Sequence, residues 1–271
     1  MSLQQRNNVH CYGNGRYTMM LVHGYGCDQT MWRFLYPAFA ERHQVVLLDL
    51  VGSGRSDLSA YDPVKYSTLH GYAADLLELI DEFAIGPVIL VGHSVSATIG
   101  MLATIAAPEK FAAQIMVGPS PCFINDDDYV GGFNAEDIDG LLKMMDENFL
   151  AWTKMMGPTI MGAPMQPALA KELVVRLEAN DREIAKHFAR VTFTADHRAD
   201  VPKSTVPALI LQCSDDLIAP REVGEYLLQH LPNSTLRVID NVGHCPHMST
   251  PSTSAKAIDD YLIQFEREQC L

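Results

Sequence analysis

Six short apolar runs recur along the chain, each closed by turn-forming residues: TMMLVHG (18–24), QVVLLDLVG (44–52), PVILVGHS (87–94), AAQIMVGPS (112–120), PALILQCSDD (207–216) and STLRVIDNVGH (234–244). Apolarity that is continuous rather than alternating marks strands buried on both faces, as in a parallel sheet. Helical spacing falls between most of these runs. Residues 68–84 place Tyr72, Leu76, Leu79, Ile80 and Phe83 on one stripe at intervals of three and four. Residues 96–108 form a small-residue helical pattern stopped by Pro108, and 223–231 repeat the theme. Alternating strand and helix predicts an α/β fold with right-handed crossovers.

The middle of the chain breaks this rhythm. From about Asn125 to Asp196 there are helical stretches punctuated by Gly and Pro, and no strand-like run of the same quality. The reading is an α/β core made of residues 1–124 and 197–271, with residues 125–196 inserted as a helical cap between a strand ending near Val117 and one beginning near Ala208. Six of the 13 methionines fall between Met144 and Met165. Filling between cap helices explains them more simply than a ligand-lining role.

Length, charge and cysteines narrow the function classes. A chain of 271 residues suits one large α/β domain with an insertion. The net charge of −13 argues against nucleic acid and against anionic lipid. No apolar run is long enough to span a bilayer, and the polar N-terminus lacks a secretory h-region. The six scattered cysteines include no C-x-x-C pair, so a reducing, cytoplasmic setting is expected.

The run VILVGHSVSAT holds the main chemical candidate, Ser94. A serine hydroxyl becomes a nucleophile when a base takes its proton and donors receive the developing oxyanion. On a strand–turn–helix elbow the serine stands at the apex, and the residues two places to either side must be small. Gly92 meets that need; Ser96, one Cβ–Oγ larger, nearly does, and reads as a small spacer. An acid and a base are expected later, in the order Ser, Asp, His. Asp215 or Asp216 follows the fifth run, and spacing does not choose between them. His244 follows the last run, with His247 as its rival. The loop LVHGYGCDQTMW offers the Tyr25 amide as a second oxyanion donor, with His23 bracing the loop.

Other chemistry is poorly supported. The G-x-G of LLDLVGSGRSD lacks the third glycine, where Asp57 stands, so no dinucleotide site is expected. There is no H-E-x-x-H, and His244 with His247 lacks a third ligand, so no metal is expected.

The segments HGYGCDQTMW, DLVGSGRSDL, VGHSVSATIGMLA, VGPSPCFINDDDYVGGF, LILQCSDDLIAP and GHCPHMS resemble the α/β-hydrolase family over nearly the whole chain. More narrowly, they resemble the group holding the bacterial stress regulator RsbQ and the plant strigolactone and karrikin receptors. The resemblance implies a mostly parallel sheet flanked by helices, with helices over a deep apolar pocket. It implies Ser94 as nucleophile, His244 as base, Asp216 as acid, and the amides of Tyr25 and Val95 as oxyanion donors. The group's elbow is typically G-H-S-V-S in the plant receptors, which makes Ser96 one of its marks. Where the family usually has phenylalanine this chain has Tyr25, whose hydroxyl needs a partner if buried. Pocket candidates are Tyr25, Phe123, Phe133, Trp152, Met156, Phe193 and Ile218. The implied activity is hydrolysis of small, apolar carboxylic esters or lactones without a cofactor. The group's alternative is a sensor that hydrolyses its signal slowly and engages a signalling protein partner.

Overall fold

Seven strands, β1 (His10–Tyr12), β2 (Thr18–Val22), β3 (Gln44–Leu48), β4 (Val88–His93), β5 (Phe111–Val117), β6 (Ala208–Asp215) and β7 (Ser234–Val242), form one sheet in the order β1-β3-β2-β4-β5-β6-β7. The computed structural model describes residues 1–269, with the side chains of residues 268 and 269 set aside. Cys270 lies outside the described residues. All pairings are parallel except that of β1 with β3. Six strands coincide with the six apolar runs. The seventh, β1, has three exposed residues and no apolar run to announce it; only its pairing with β3 defines it.

Successive side chains of a strand point to opposite faces, and the central strands show the result. Met19 and Leu21 of β2 and Ile89 and Val91 of β4 enter one core, whereas Met20, Val22, Val88 and Leu90 enter another on the opposite face. The edge strand β7 is only partly covered, which explains its more polar sequence.

The helices in chain order are α1 (Leu3–Arg6), α2 (Leu69–Phe83), α3 (Val95–Ala106), α4 (Ala135–Glu147), α5 (Phe149–Met161), α6 (Pro167–Ala179), α7 (Arg182–Phe193), α8 (Arg221–His230), α9 (Pro246–Ser249) and α10 (Pro251–Gln269). Four of them, α4 to α7, are inserted between β5 and β6. The stretch from Glu136 to Met156 reads as one helical run, but Asn148 divides it. Its backbone leaves the helix (φ −149°, ψ 79°) and its side-chain oxygen accepts from Ala151 N at 3.0 Å, starting α5 afresh. The long α10 is separated from β7 by the short α9, and its apolar stripe begins only at Ile258, continuing through Leu262 and Phe265. Among the described residues, no helix is long and apolar enough to cross a membrane.

Candidate active site

Every parallel strand delivers its carboxyl end to the same edge of the sheet, and the chemically competent side chains collect there. At the end of β4, Ser94 takes φ 57° and ψ −124°, a backbone conformation unusual for a residue with a Cβ. Such strain costs roughly 1–3 kcal/mol and persists only when its surroundings enforce it. Here Ser94 N donates to Val117 O at 2.8 Å in β5, and Ala97 N donates to Ser94 O at 2.9 Å as α3 begins. A side chain at Gly92 would bring its Cβ to 2.4 Å from the Ser96 carbonyl oxygen, so strand and helix pass closely enough to require glycine there.

Ser94 Oγ lies 2.8 Å from His244 Nε2, and His244 Nδ1 lies 2.7 Å from Asp216 Oδ2. All three side chains are buried. The second oxygen of Asp216 accepts from Ile218 N at 2.8 Å and Ala219 N at 3.2 Å, which fixes the carboxylate's orientation. Asp215, the alternative that spacing left open, is exposed, and its carbonyl accepts Gly243 N at 2.7 Å. His247, the rival base, is buried with both ring nitrogens unpartnered, its ring 4.6 Å from that of Trp32. Burial pulls its pKa down to about 3.

Of the two candidate oxyanion donors, Val95 follows the serine in the chain and Tyr25 lines the same cavity as it. Val95 is the first residue of α3, and Tyr25 sits two residues beyond His23; neither amide donates to another group among the described residues. The loop bearing Tyr25 is held on one side by side chains. His23 Nδ1 donates to Gly24 O at 2.8 Å and its Nε2 accepts Leu50 N at 3.0 Å, tying the ends of β2 and β3 together. Ser96 Oγ donates to the His23 carbonyl across 73 residues of chain. Ser96 is therefore more than a small spacer: its hydroxyl links the elbow to the loop bearing Tyr25.

The same loop is held from above by the inserted helices. Arg176 of α6 donates to both carboxylate oxygens of Asp28 at 2.6 Å, and Asn180 Nδ2 donates to Gly26 O at 3.1 Å. Gly26 (φ 69°) has Leu177 so near that an added Cβ would lie 2.2 Å from its Cδ2. The Tyr25 hydroxyl donates to Ala185 O at 2.9 Å in α7, which supplies the partner a buried phenol requires. Burial raises its pKa.

Ser94 and His244 open onto a cavity lined also by Tyr25, Cys27, His93, Phe123, Ile160, Thr192, Phe193, Ile218 and Cys245. The space free to a water-sized body is about 20 Å³, room for little more than one water molecule. Of the pocket candidates, Tyr25, Phe123, Phe193 and Ile218 thus stand around the serine. Phe133, Trp152 and Met156 do not line the cavity. Trp152 and Met156 are buried behind it, the indole packing edge-on against Tyr25 at 6.1 Å, and Phe133 bridges to Ile124. The clustered methionines do not line it either: Met145, Met156 and Met161 are core, and Met165 is exposed. Sequence pattern gave no notice of Cys27, His93, Ile160, Thr192 or Cys245 as lining residues. A larger cleft of about 480 Å³ is lined by Asp28, Asp49, Arg55 and Arg176 among others, and contains none of the three catalytic candidates.

Beneath His244 lies a group of metal-capable donors, His93, Cys245 and His247, whose ligand atoms are all within 4.8 Å of one another. The imidazoles of His93 and His247 pack with centroids 4.5 Å apart, and His93 Nε2 donates to His244 O at 3.0 Å. The trio packs against His244, the candidate base, with the His93 and His244 ring centroids 4.9 Å apart. Burial lowers the His93 pKa and raises that of Cys245, so both are neutral. Burial pushes the Cys27 thiol up to about 12, leaving it protonated as well.

A strained serine elbow, a buried Ser–His–Asp chain and an inserted helical layer define a hydrolase-type site. Residues 19–257 match the model of the alpha/beta hydrolase family, and the chain belongs to that family. It is 38% identical over 250 residues to a karrikin insensitive 2 receptor of Petunia hybrida, covering 92% of this chain and 93% of that protein. It is 36% identical to a strigolactone esterase of Arabidopsis thaliana, again covering 92% and 93%. Among solved structures, a hydrolase from Oleispira antarctica superposes with a TM-score of 0.92 at 38% identity, covering 96% of this chain and 95% of that one.

Proposed function

We propose that the protein is a serine esterase for small, apolar carboxylic esters or lactones. The observation that carries this reading is the continuous buried chain from Ser94 Oγ through His244 to Asp216, at 2.8 and 2.7 Å. His244 takes the serine proton as Oγ attacks the carbonyl carbon, and the new oxyanion receives the Tyr25 and Val95 amides. The proton then passes to the departing alkoxide, leaving an acyl-enzyme. Water attacks that ester with His244 again as base, and the carboxylic acid leaves. In a lactone the departing alkoxide stays tethered to the acyl group. Asp216 holds His244 in the Nδ1–H tautomer throughout. The lining is neutral and largely apolar, which suits uncharged substrates, and this chemistry calls for no cofactor.

Relatives named as esterases support the same reading. Among the described residues five cysteines are free, four of them buried, which suits a reducing compartment such as the cytoplasm. A second reading has one specific observation in its favour. The similar Petunia protein is named a receptor, so a sensor that hydrolyses a small signal and then engages a signalling protein fits the same site.

One time course separates the two. A chromogenic short-chain ester is followed by absorbance and intact-protein mass on wild type and Ser94→Ala. The esterase reading expects many turnovers per site with no lasting adduct, and a loss of at least about 10⁴-fold in kcat on removing the serine hydroxyl. A single stoichiometric burst with a persistent mass increment selects the sensor. Activity retained within tenfold in Ser94→Ala removes Ser94 from the mechanism.

A further inference from the structure

One hydroxyl lining the cavity is unaccounted for by the mechanism. Thr192 lies on α7 next to Phe193, is 2% exposed, and its hydroxyl has no hydrogen-bond partner. Four other threonines in or at the end of helices turn their hydroxyls back onto the helix, while Thr98 of α3 donates to Ser120 O at 2.7 Å. Thr104 donates to Met101 O at 2.7 Å, Thr153 to Leu150 O at 2.9 Å, Thr159 to Met155 O at 2.9 Å and Thr194 to Arg190 O at 2.8 Å. That back-bond is the ordinary outlet for a threonine in a helix. Thr192 forgoes it and lines the same cavity as Ser94 and His244. A buried hydroxyl with no partner is costly unless something else satisfies it.

The remaining lining narrows what that something is. The Tyr25 hydroxyl is already committed to Ala185 O, and Ser94 and His244 are committed to each other. No lysine or arginine lines the cavity, so it offers nothing to balance a carboxylate or phosphate. We propose that Thr192 is a specificity-determining residue that hydrogen-bonds one uncharged oxygen of the substrate. The natural ester or lactone then carries, besides the scissile carbonyl, an ether, ketone or hydroxyl oxygen that reaches α7. A hydroxyl both donates and accepts, so all three oxygen types fit. The inference rests on the serine-esterase reading and adds to it the polarity of the substrate.

The test is a set of esters in which an ether oxygen replaces each methylene in turn, first along the acyl chain and then along the alcohol. Wild type is expected to favour one oxa-ester over its methylene counterpart in kcat/KM. In Thr192→Val, which keeps the shape and loses the hydroxyl, that ratio falls about tenfold, while Thr192→Ser preserves it. The melting temperature of Thr192→Val is held or raised, because no bond within the protein is lost. Wild type showing no oxa preference, or Thr192→Val keeping the wild-type ratio, overturns the inference and leaves the esterase reading intact. If no ester is cleaved and Ser94 accepts no acyl group, the proposed function itself has failed. The subsite is then read from thermal shifts with the matching oxa and methylene ketones. A greater shift for one oxa ketone that disappears in Thr192→Val supports the inference, and equal shifts overturn it.

Discussion

Ser94, His244 and Asp216 take their places from the ends of β4, β7 and β6, three strands fixed by ladder hydrogen bonds and by a core on each face of the sheet. Tyr25, by contrast, stands on a loop held by side chains. Ser96 at the start of α3 and His23 at the end of β2 grip it on one side, and Arg176 and Asn180 grip it from the inserted helices. Ser94 and Asp216 of the proposed proton chain are thus held by the sheet, and His244 N also donates to Ile160 O of α5 at 2.8 Å, whereas the proposed oxyanion donor is hydrogen-bonded through its own loop to α6. Electrostatic stabilisation depends on donors standing where charge develops. A shift of α6 is therefore expected to change the rate of the chemical step through the Tyr25 amide.

The largest effect belongs to the proposed proton chain. Asp216→Asn should lower kcat by about 10³–10⁴-fold, since an amide facing Nδ1 favours the wrong imidazole tautomer. Asp215→Asn should leave kcat within threefold, because that carboxylate is exposed and it is Asp216 that meets His244 Nδ1. Steady-state kinetics on the two variants decide the matter, and the reverse order would make Asp215 the acid.

Ser96→Gly probes the lower grip on the oxyanion loop. If Ser96 served only as a small spacer, glycine would be harmless. Its hydroxyl instead donates to the His23 carbonyl in a fully buried setting. Loss of one such bond is worth about 1 kcal/mol, so kcat should fall about 5- to 10-fold with KM nearly unchanged. Ser96→Ala should match it, since both lose the hydroxyl. Full activity in both would return Ser96 to the role of spacer.

The same contrast explains what the sequence made legible. Continuous apolar runs located six of the seven strands, because a buried parallel strand must be apolar on both faces. The elbow followed from Gly92, Ser94 and the helix after them, and Asp216 needed the family resemblance to separate it from Asp215. The insertion was far less legible. Which face of α5 meets the cavity depends on how four helices pack together, and helical periodicity alone does not specify that. Trp152 and Met156 are buried aromatic and methionine side chains of the expected kind, yet they pack behind the lining, whereas Ile160 one turn further on reaches it. Thr192 and Ser96 were illegible for another reason: the partner of a hydroxyl, present or missing, lies far away in the chain.

The upper grip gives the smallest effect and the closest test of the contrast. Although burial acts against it, the Thr30 hydroxyl and the Arg176 guanidinium hold the Asp28 carboxyl below the usual carboxylate range. The sign follows directly. A carboxylate with a lowered folded-state pKa contributes stability that is present above its unfolded value, near 4, and is lost as pH falls below it. The Arg176–Asp28 pair is therefore intact from pH 5 to 8, and its loss in Arg176→Leu should act uniformly across that window. A partly exposed pair of this kind is worth up to about 1 kcal/mol. The Tyr25 amide is three residues from Asp28, so only part of that reaches the oxyanion, and kcat should fall about two- to threefold. Salt should mimic the change in wild type and not in Arg176→Leu, since the pair is only partly shielded from solvent. Acylation rates measured by stopped flow at low and high ionic strength check both points. A loss in Arg176→Leu as large as that in Asp216→Asn would mean that the insertion governs the proton chain as well, and the two halves of the site would have to be treated as one unit.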